Sequence, residues 1–265
     1  MTLRTAIAAA GLALGLAAAT ATPAIAAGGE TPPLANVPFS FKGPFGMYDR
    51  AAVQRGFQVY REVCAACHGV KYLAFRNLMD IGFPEEQARA IAAEYIVVDG
   101  PDDFGEMYER PGRLSDRIPS PFPNAEAAKA ANNGAYPVDL SLITKARANG
   151  PAYLYSLLTG YEEAPHDVEV GEGLYYNPYF SGGQISMAPP LADDLVEYLD
   201  GTSATLDQMT YDVVTFLTWA AEPHMEQRKR MGLGVLIFLG VFTVLLYRSN
   251  RKIWKSVKQA QSPET

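Results

Sequence analysis

Two cysteines and a histidine lie within five consecutive residues, in the run CAACH at 64–68. This C-x-x-C-H spacing is typical of a site for covalent attachment of a c-type haem, because each thiol can form a thioether with a haem vinyl group and the adjoining imidazole can bind the iron. A thioredoxin-like dithiol and half of a zinc site are the alternatives. The chain has no other cysteine to complete a four-cysteine zinc site, and a redox dithiol is not normally followed directly by histidine. The sequence therefore predicts one haem c on Cys64 and Cys67, with His68 as an iron ligand.

A second iron ligand is expected from a methionine. A haem iron that only transfers electrons needs a sixth ligand, and a soft thioether on a stiff loop gives a high-potential site. Met187 precedes two prolines in such a loop and is the leading candidate. Methionine is more often a packing residue than a ligand, so other side chains remain open. They are Met47, Met79, Met107, His166 and His224, although the two histidines are more simply explained as surface residues.

Arg147 is a candidate partner for the haem propionates. A buried haem carries two carboxylates, which require a fixed cationic donor. Arg147 falls in a short helix that we predict to be capped by Asp139 and to include Leu140 and Ile143. An exposed arginine at a helix end is the alternative, and spacing alone does not distinguish the two.

The helix that positions the cysteines is predicted to begin at Asp49, a residue suited to an N-cap. Apolar residues at helical spacing run from Val53 to the two cysteines. Gly56 lies within this predicted helix. Either the helix simply tolerates a glycine at this position, or the glycine allows a second helix to approach closely. A last amphipathic helix is predicted where apolar residues recur from Met209 to Ala220. We expect its apolar face to pack across the first helix.

Shorter helices are predicted between these two, from Pro84 to about Val97, from Asn124 to Gly134 and from Pro151 to Gly160. Residues 28–48 are expected to form an extended arm over the domain. Residues 99–123 contain five prolines, and we expect them to form a long loop. They also contain an acidic cluster, formed by Asp99, Asp102, Asp103, Glu106 and Glu109. The cluster is either a solvated face or part of a docking surface for a cationic redox partner. No strand pattern is evident, which favours an all-α domain.

Two apolar stretches indicate the compartment. The first precedes an A-x-A sequence at 24–26, as in a cleaved signal peptide. The second, Met231–Tyr247, has seventeen residues without a charge and is long enough to span a bilayer as a C-terminal anchor. We therefore expect one span in the inner (cell) membrane of a bacterium. The predicted divisions are a signal peptide at 1–26, a periplasmic haem domain at 27–225, a transmembrane helix with flanks at 226–248 and a cytoplasmic tail at 249–265.

The predicted haem domain is strongly acidic. Residues 27–225 carry 13 Lys and Arg against 27 Asp and Glu, a net charge of −14, whereas residues 226–265 carry 8 basic and 2 acidic residues. A field of this sign accelerates encounter with a basic partner and argues against binding of nucleic acid. The basic tail instead suits the anionic headgroups of a lipid membrane.

Longer stretches of the chain resemble bacterial cytochrome c1, the haem-bearing subunit of ubiquinol:cytochrome c oxidoreductase (the cytochrome bc1 complex). They cover nearly the whole mature chain and are far more specific than C-x-x-C-H, which any c-type cytochrome has. The stretches are FGMYDRAAVQRGFQVYREVCAACH at 45–68, RPGRLSDRIPSPFPN at 110–124, AANNGAYPVDLS at 130–141, LLTGY at 157–161, EGLYYNPYF at 172–180, MAPPL at 187–191 and WAAEPHMEQRKRMG at 219–232.

The resemblance implies a class I cytochrome c-like domain with long loop insertions and one C-terminal transmembrane helix. It implies that Cys64 and Cys67 hold the haem, that His68 and Met187 are the axial ligands, and that Arg147 contacts a propionate. The implied role is that of a redox subunit, not an enzyme on its own. It would take electrons from the Rieske iron-sulfur protein beside cytochrome b and pass them to a basic cytochrome c. Some bacterial members have a further cysteine pair, which this chain lacks.

A membrane-anchored haem sensor and a haem peroxidase are the alternatives to an electron-transfer protein. A membrane-anchored haem sensor would leave the iron an open coordination position and would need a signalling domain inside the cell. The predicted internal tail of about 18 residues is too short for one. A haem peroxidase is disfavoured because Met187 would block peroxide and the sequence has no second haem motif.

Overall fold

The computed structural model describes residues 31–260. The predicted signal peptide lies outside the described residues, as do the last five residues of the predicted tail. The helices of the described part are α1 (Arg50–Glu62), α2 (Glu85–Ala93), α3 (Ala125–Ala131), α4 (Ile143–Ala146), α5 (Gly150–Thr159), α6 (Leu206–Ala221) and α7 (Met225–Ala260), with 3₁₀ segments at Cys64–Ala66 and Phe75–Ile81. The strands form two antiparallel pairs, β1 (Ile96–Asp99) with β2 (Tyr108–Pro111) and β3 (Tyr175–Tyr176) with β4 (Gln184–Ile185).

Helices α1 and α6 pack against each other at the centre of the domain, as their apolar spacing predicts. Asp49 caps α1 by accepting the N–H groups of Ala51 and Ala52. The ring of Phe216 on α6 lies 5.6 Å from each of the rings of Phe57 and Tyr60 on α1, and all three are buried. This packing of apolar faces supplies the main core of a mostly helical domain.

Gly56 lies where the two helices touch. A Cβ built on Gly56 would overlap the carbonyl oxygen of Asp212 and approach the Cβ of Phe216 to 2.8 Å, which confirms the close approach of a second helix. Beside it, Arg55 donates from Nε and Nη2 to the two carboxylate oxygens of Asp212, at 2.8 and 3.0 Å. Because Asp212 is fully buried, this two-bond pairing offsets the cost of burying its charge and fixes the register of the crossing.

Residues 31–48 pack on these helices as an irregular extended arm, in agreement with the prediction for this part of the chain. Phe39 and Phe41 are buried and stack on each other at 5.0 Å, and Phe39 also stacks on Tyr211 of α6 at 5.2 Å. The hydroxyl of Tyr48 donates to the main-chain carbonyl of Glu222 at 3.1 Å. The arm therefore covers the side of α6 and reaches its C-terminal end.

The helix predicted to run to about Val97 is shorter, and the loop predicted over 99–123 contains a strand. Helix α2 ends at Ala93, and β1 then pairs with β2 as a hairpin. Three consecutive β-branched residues at 96–98 favour the extended backbone. Arg110 on β2 donates to Asp99 on β1 and to Asp116 in the following turn. These strand pairs are short and local, and they leave the domain all-α in class.

The remaining helices agree with the sequence at some ends and not at others. Asn124 caps α3, the stop at Gly134 has a left-handed φ of 83°, and α5 ends before Gly160, all as predicted. The helix predicted from Asp139 is wrong at both ends. Helix α4 covers only four residues, so Asp139 precedes it and Arg147 follows it.

Helix α7 runs unbroken from Met225 to Ala260 and contains the predicted apolar stretch. Among residues 31–260, its segment Met225–Lys258 is the one helix long and apolar enough to cross a membrane. The most apolar 18-residue window has a mean hydropathy of 2.0, and none of that window is buried in the protein. Length and composition thus suggest a single membrane span.

Candidate haem site

Cys64 and Cys67 lie on a 3₁₀ turn rather than on α1 itself, because the α-helix ends at Glu62. The helical stripe predicted to include both cysteines is wrong over its last turn. Instead the chain tightens, so that the N–H of His68 donates to the carbonyl of Cys64 at 2.8 Å. Both thiols are free, and burial, with the neighbouring Cys67, raises the pKa of the Cys64 thiol to about 12. Two free thiols and an imidazole therefore share one tight turn.

The ring of His68 is held by the main chain of a distant segment. Its Nδ1 lies 2.7 Å from the carbonyl oxygen of Val138. A carbonyl only accepts hydrogen bonds, so Nδ1 carries the proton and the lone pair of Nε2 is left for a metal ion. Burial lowers the pKa of His68, which favours the neutral ring that an iron ligand requires. The hydroxyl of Tyr60 also donates to the carbonyl of His68 at 3.0 Å.

The segment that carries Val138 is fastened to the residues after His68 by further hydrogen bonds. They run from the Leu140 N–H to the Gly69 carbonyl at 2.8 Å, from the Lys71 N–H to the Asp139 carboxylate at 3.0 Å and from the Tyr72 N–H to the Ser141 hydroxyl at 3.1 Å. Asp139 thus binds another segment instead of capping a helix. Sequence reasoning missed the role of Val138, because no side-chain pattern marks a carbonyl as an acceptor 70 residues away.

Arg147 follows α4, and its side chain is exposed. Its guanidinium donates to the neighbouring carbonyl of Ala146 at 3.2 Å, and its own carbonyl accepts the N–H of Gly150 at the start of α5. The guanidinium of Arg147 therefore lies at the junction of α4 and α5. This junction is part of the chain segment that follows Val138. A contact with a haem propionate stays a prediction.

Met187 lies after β4, in the loop that leads towards α6, and its side chain is half-buried. The hydroxyl of Tyr161 donates to the main-chain carbonyl of Met187 at 3.0 Å. Tyr161 follows Gly160 directly, at the end of α5, and the N-terminal end of the same helix adjoins Arg147. Helix α5 thus connects two predicted site residues. Sequence reasoning missed Tyr161, since a tyrosine in an irregular stretch carries no sign of its partner.

An exposed acidic segment lies beside the strand that leads to Met187. The side-chain amide of Gln184, on β4, accepts the N–H of Gly171 at 3.0 Å and donates to the carbonyl of Glu169 at 2.9 Å. We call residues 162–172 the acidic segment; its exposed carboxylates belong to Glu162, Glu163, Asp167, Glu169 and Glu172. The sequence predicts a docking surface elsewhere, in the acidic cluster within 99–123.

The competing ligand candidates lie at the surface. The exposed fractions of Met47, Met79 and Met107 are 54, 39 and 60%. His166 and His224 are exposed as well, in agreement with their reading as surface residues. Ligation by Met187 is not tested by these positions and stays a prediction.

The chemistry of the donors fits a haem iron. One turn supplies two free thiols and a neutral imidazole whose Nε2 is available, while a separate loop supplies a thioether and an exposed guanidinium lies on a third segment. A soft thioether with an imidazole suits an iron that cycles between its ferrous and ferric states. A mostly helical domain with these donors and one apolar C-terminal helix defines a class I cytochrome c-like protein with a membrane anchor.

Comparison with known proteins shows which family within this class the chain belongs to. The model of the cytochrome C1 family matches residues 39–257. Cytochrome c1 of Rhodospirillum rubrum is 51% identical over 236 residues, which are 83% of this chain and 87% of that protein. A mitochondrial cytochrome c1 heme protein of Arabidopsis thaliana is 51% identical over 84% of this chain and 73% of its own length. Cytochrome b/c1 of Bradyrhizobium diazoefficiens is 51% identical over 82% of this chain but only 35% of that longer protein. The chain belongs to the cytochrome c1 family.

Proposed function

We propose that this chain is the haem-bearing electron-transfer subunit of a ubiquinol:cytochrome c oxidoreductase. The observation that carries the proposal is the His68 ring, whose Nδ1 is bound by a carbonyl and whose Nε2 is left available, directly after two free thiols. Family membership supports it, because the Arabidopsis relative is named a heme protein and the Bradyrhizobium relative is named cytochrome b/c1. Electron transfer needs a site that is held rigidly, and the hydrogen bonds around His68 provide that.

Each site residue has a separate role in the proposal. Cys64 and Cys67 would hold one haem c through two thioethers, and His68 and Met187 would supply the imidazole and the thioether that bind its iron. Arg147 pairs with a propionate. When bound, the haem supplies a one-electron couple between ferrous and ferric iron. With both His68 and Met187 bound to it, the iron would have no position left for a substrate, so in this proposal the subunit is not an enzyme on its own.

The proposed partners follow from charge and anchoring. The haem domain lies on the periplasmic side of the cell membrane, beside cytochrome b, where it takes electrons from the Rieske iron-sulfur protein. A basic cytochrome c accepts them, since the domain carries an excess of acidic residues and the acidic segment adjoins the Met187 loop. The respiratory or photosynthetic chain is the setting for such a subunit.

The ligand assignment is tested by Met187→Leu in the full chain. Leucine removes the thioether that stabilises ferrous iron, so we expect the reduction potential to fall by on the order of 0.2 V, within the range that axial ligands span. We also expect the reduced variant to bind carbon monoxide at the open position. Redox titration and carbon monoxide difference spectra measure both effects. Met107→Leu, an exposed methionine, is the matched control and should leave both properties unchanged.

An unchanged potential in Met187→Leu would assign the sixth ligand to another residue. Ready binding of carbon monoxide by the reduced native protein would instead favour a haem sensor. The proposal as a whole requires a pyridine haemochrome spectrum with thioether-linked haem and copurification with a cytochrome b. A colourless native protein would contradict it.

A further inference from the structure

A tight loop beside the anchor helix is fixed to that helix by hydrogen bonds. The N–H of Met47 in this loop donates to the carbonyl of Ser40, in the preceding arm, at 3.2 Å. The ammonium group of Lys229, on the second turn of α7, donates to the carbonyls of Phe41 at 2.7 Å and Gly46 at 2.9 Å. We call residues 44–47 the PFGM loop. It is therefore held rigidly against the first turns of the anchor.

A second set of bonds holds the C-terminal end of this loop. Glu226 on α7 accepts the N–H of Tyr48 at 2.8 Å and pairs with Arg50 at 2.7 Å. The carboxylate is thus neutralised by a neighbouring cation and a donor. It leaves little free negative charge to repel an anion next to it.

The PFGM loop presents apolar side chains outward in spite of this rigidity. Phe45 is 78% exposed and Met47 is 54% exposed. They border a cavity of about 170 Å³, whose lining also includes Pro44, Lys229, Arg230 and Leu233. Because Phe45 and Met47 meet the exposed Leu233 of α7 in this lining, they form one contiguous exposed apolar patch, which is typical of a contact site.

The position of the cavity on α7 indicates what covers it. Leu233 lies within the charge-free stretch that begins at Met231, while Arg230 is the last charged residue before it. Residues 226, 230 and 233 share one helix face, because they are four and then three residues apart. The cavity therefore spans the boundary between the polar headgroup region and the hydrocarbon core of a membrane that α7 crosses.

We propose that this cavity binds one phospholipid molecule on the haem-domain side of the membrane. The exposed guanidinium of Arg230 pairs with the lipid phosphate, for which arginine is suited by its fork of donors. The upper part of an acyl chain packs on Phe45, Met47 and Leu233. The PFGM loop thus rests in the membrane interface and gives the haem domain a second point of attachment besides the span. This inference rests on the span of α7 and not on the identity of the electron partners.

Membrane depth at the loop provides the first test. Phe45→Cys in the full-length protein, purified from its own membranes with its copurifying subunits, is labelled with bimane and placed in nanodiscs of dibrominated phosphatidylcholine. We expect the label to be quenched at least twofold by the brominated acyl chains and to be protected from aqueous iodide. Phe104→Cys, a 90% exposed position in another loop, is the matched control and should show the reverse. The parent protein must take up no label.

Each other outcome overturns the proposal. Quenching of the position-45 label by iodide alone would mean that the loop faces water. Protection from both quenchers would mean that a partner subunit covers the cavity instead of a lipid.

The phosphate contact is tested separately by counting the phospholipids that remain after detergent washing. Native mass spectrometry should find one fewer retained phospholipid on Arg230→Gln than on the parent. Arg230→Lys keeps the positive charge, so it should retain as many phospholipids as the parent or lose fewer than Arg230→Gln does. Arg251→Gln, near the other end of α7, is the matched control. Equal retention by all variants, with unchanged circular dichroism, would reject the site. A parent that binds haem but retains no lipid would leave the proposed function standing and contradict only this inference.

Discussion

The imidazole of His68 is oriented by a main-chain carbonyl rather than by another side chain. A carbonyl has no charge to lose with pH and cannot rotate away on a side chain, so the tautomer of the ring is set by the fold itself. At Met187 the roles are reversed, because the hydroxyl of Tyr161 donates to the main-chain carbonyl of Met187 and does not contact the sulfur. Both predicted iron ligands are therefore positioned through the backbone.

Tyr161→Phe should loosen the Met187 loop without removing a ligand. Loss of one neutral hydrogen bond costs about 1 kcal/mol. We therefore expect the midpoint of the alkaline transition, at which the methionine-iron charge-transfer band disappears, to fall by about 0.7 pH unit. Tyr175→Phe, a half-exposed ring on β3, is the matched control and should leave the midpoint in place. Equal midpoints in the two variants would show that the hydrogen bond does not hold the ligand loop.

The chemistry-bearing side chains could be selected from the sequence, but their supports could not. The C-x-x-C-H spacing identifies Cys64, Cys67 and His68. The two prolines after Met187 identify it as the methionine on a stiff loop. Val138 and Tyr161 act through a carbonyl and a single hydroxyl across long separations in sequence. Such contacts are created by the fold and have no local pattern, so they become visible only when the segments are brought together.

At the scale of elements, the contact between α1 and α6 depends on the missing side chain of Gly56. A methyl group there would overlap the Asp212 carbonyl, and neither backbone can move without separating the helices. We expect Gly56→Ala to destabilise the protein by about 3 kcal/mol, a fall in Tm of roughly 6–12 °C. Thermal unfolding of the full chain measures this. Gly232→Ala, on α7 with open space around it, is the matched control and should change Tm little. Similar Tm values in both variants would mean that the crossing adapts.

The hairpin of β1 and β2 is predicted to weaken in acid. Hydrogen bonds from Arg110 hold the pKa values of Asp99 and Asp116 below their ordinary value. A lowered folded-state pKa stabilises the protein above the unfolded pKa near 4, and this stabilisation is lost as the pH falls through the lowered pKa. The Tm difference between the parent and Arg110→Gln should therefore be full at pH 6 and shrink below about pH 4.

Arg89→Gln is the matched control for this pH dependence, because Arg89 pairs with Glu85 on an exposed helix face. Pairs of that kind contribute a few tenths of a kcal/mol, so its Tm should follow that of the parent at every pH. A constant Tm difference between the parent and Arg110→Gln from pH 6 to pH 3 would contradict the assigned role of the two carboxylates.

Helices with capping residues and apolar stripes were predictable, whereas the hairpin and the ends of short elements were not. Asp49 and Asn124 cap their helices because the capping bonds are local. The hairpin depends on Arg110, which pairs with Asp99 eleven residues away. Asp139 is a good cap in isolation, but it is recruited by the N–H of Lys71. Tertiary contacts therefore outweigh local preference where an element is only a few residues long.

At the scale of the whole molecule, the haem domain is held against the first turns of α7 by side-chain contacts, and not only by the covalent connection of the chain. The carboxylate of Glu222 pairs with Lys145 on α4 at 3.1 Å and with Arg228 on α7 at 2.6 Å. Together with the bonds of Lys229 and Glu226, these contacts tie the segment before Arg147 to the first turns of the anchor. These contacts therefore fix the orientation of the candidate site relative to the first turns of α7. Under the proposed function, an electron acceptor reaches this site by its own diffusion.

Diffusional capture of a basic partner should then be governed by charge. We expect the association rate with a basic cytochrome c to fall about tenfold or more as ionic strength rises from roughly 20 to 200 mM. Because the acidic segment adjoins the Met187 loop, Glu163→Lys should lower the rate at low salt several-fold. Glu106→Lys makes the same change in net charge in the cluster within 99–123 and is the matched control. Stopped-flow oxidation of the reduced protein measures both. A larger decrease of the association rate in Glu106→Lys than in Glu163→Lys would show that the partner docks on that cluster instead. An association rate that does not change with ionic strength would contradict electrostatic docking on either surface.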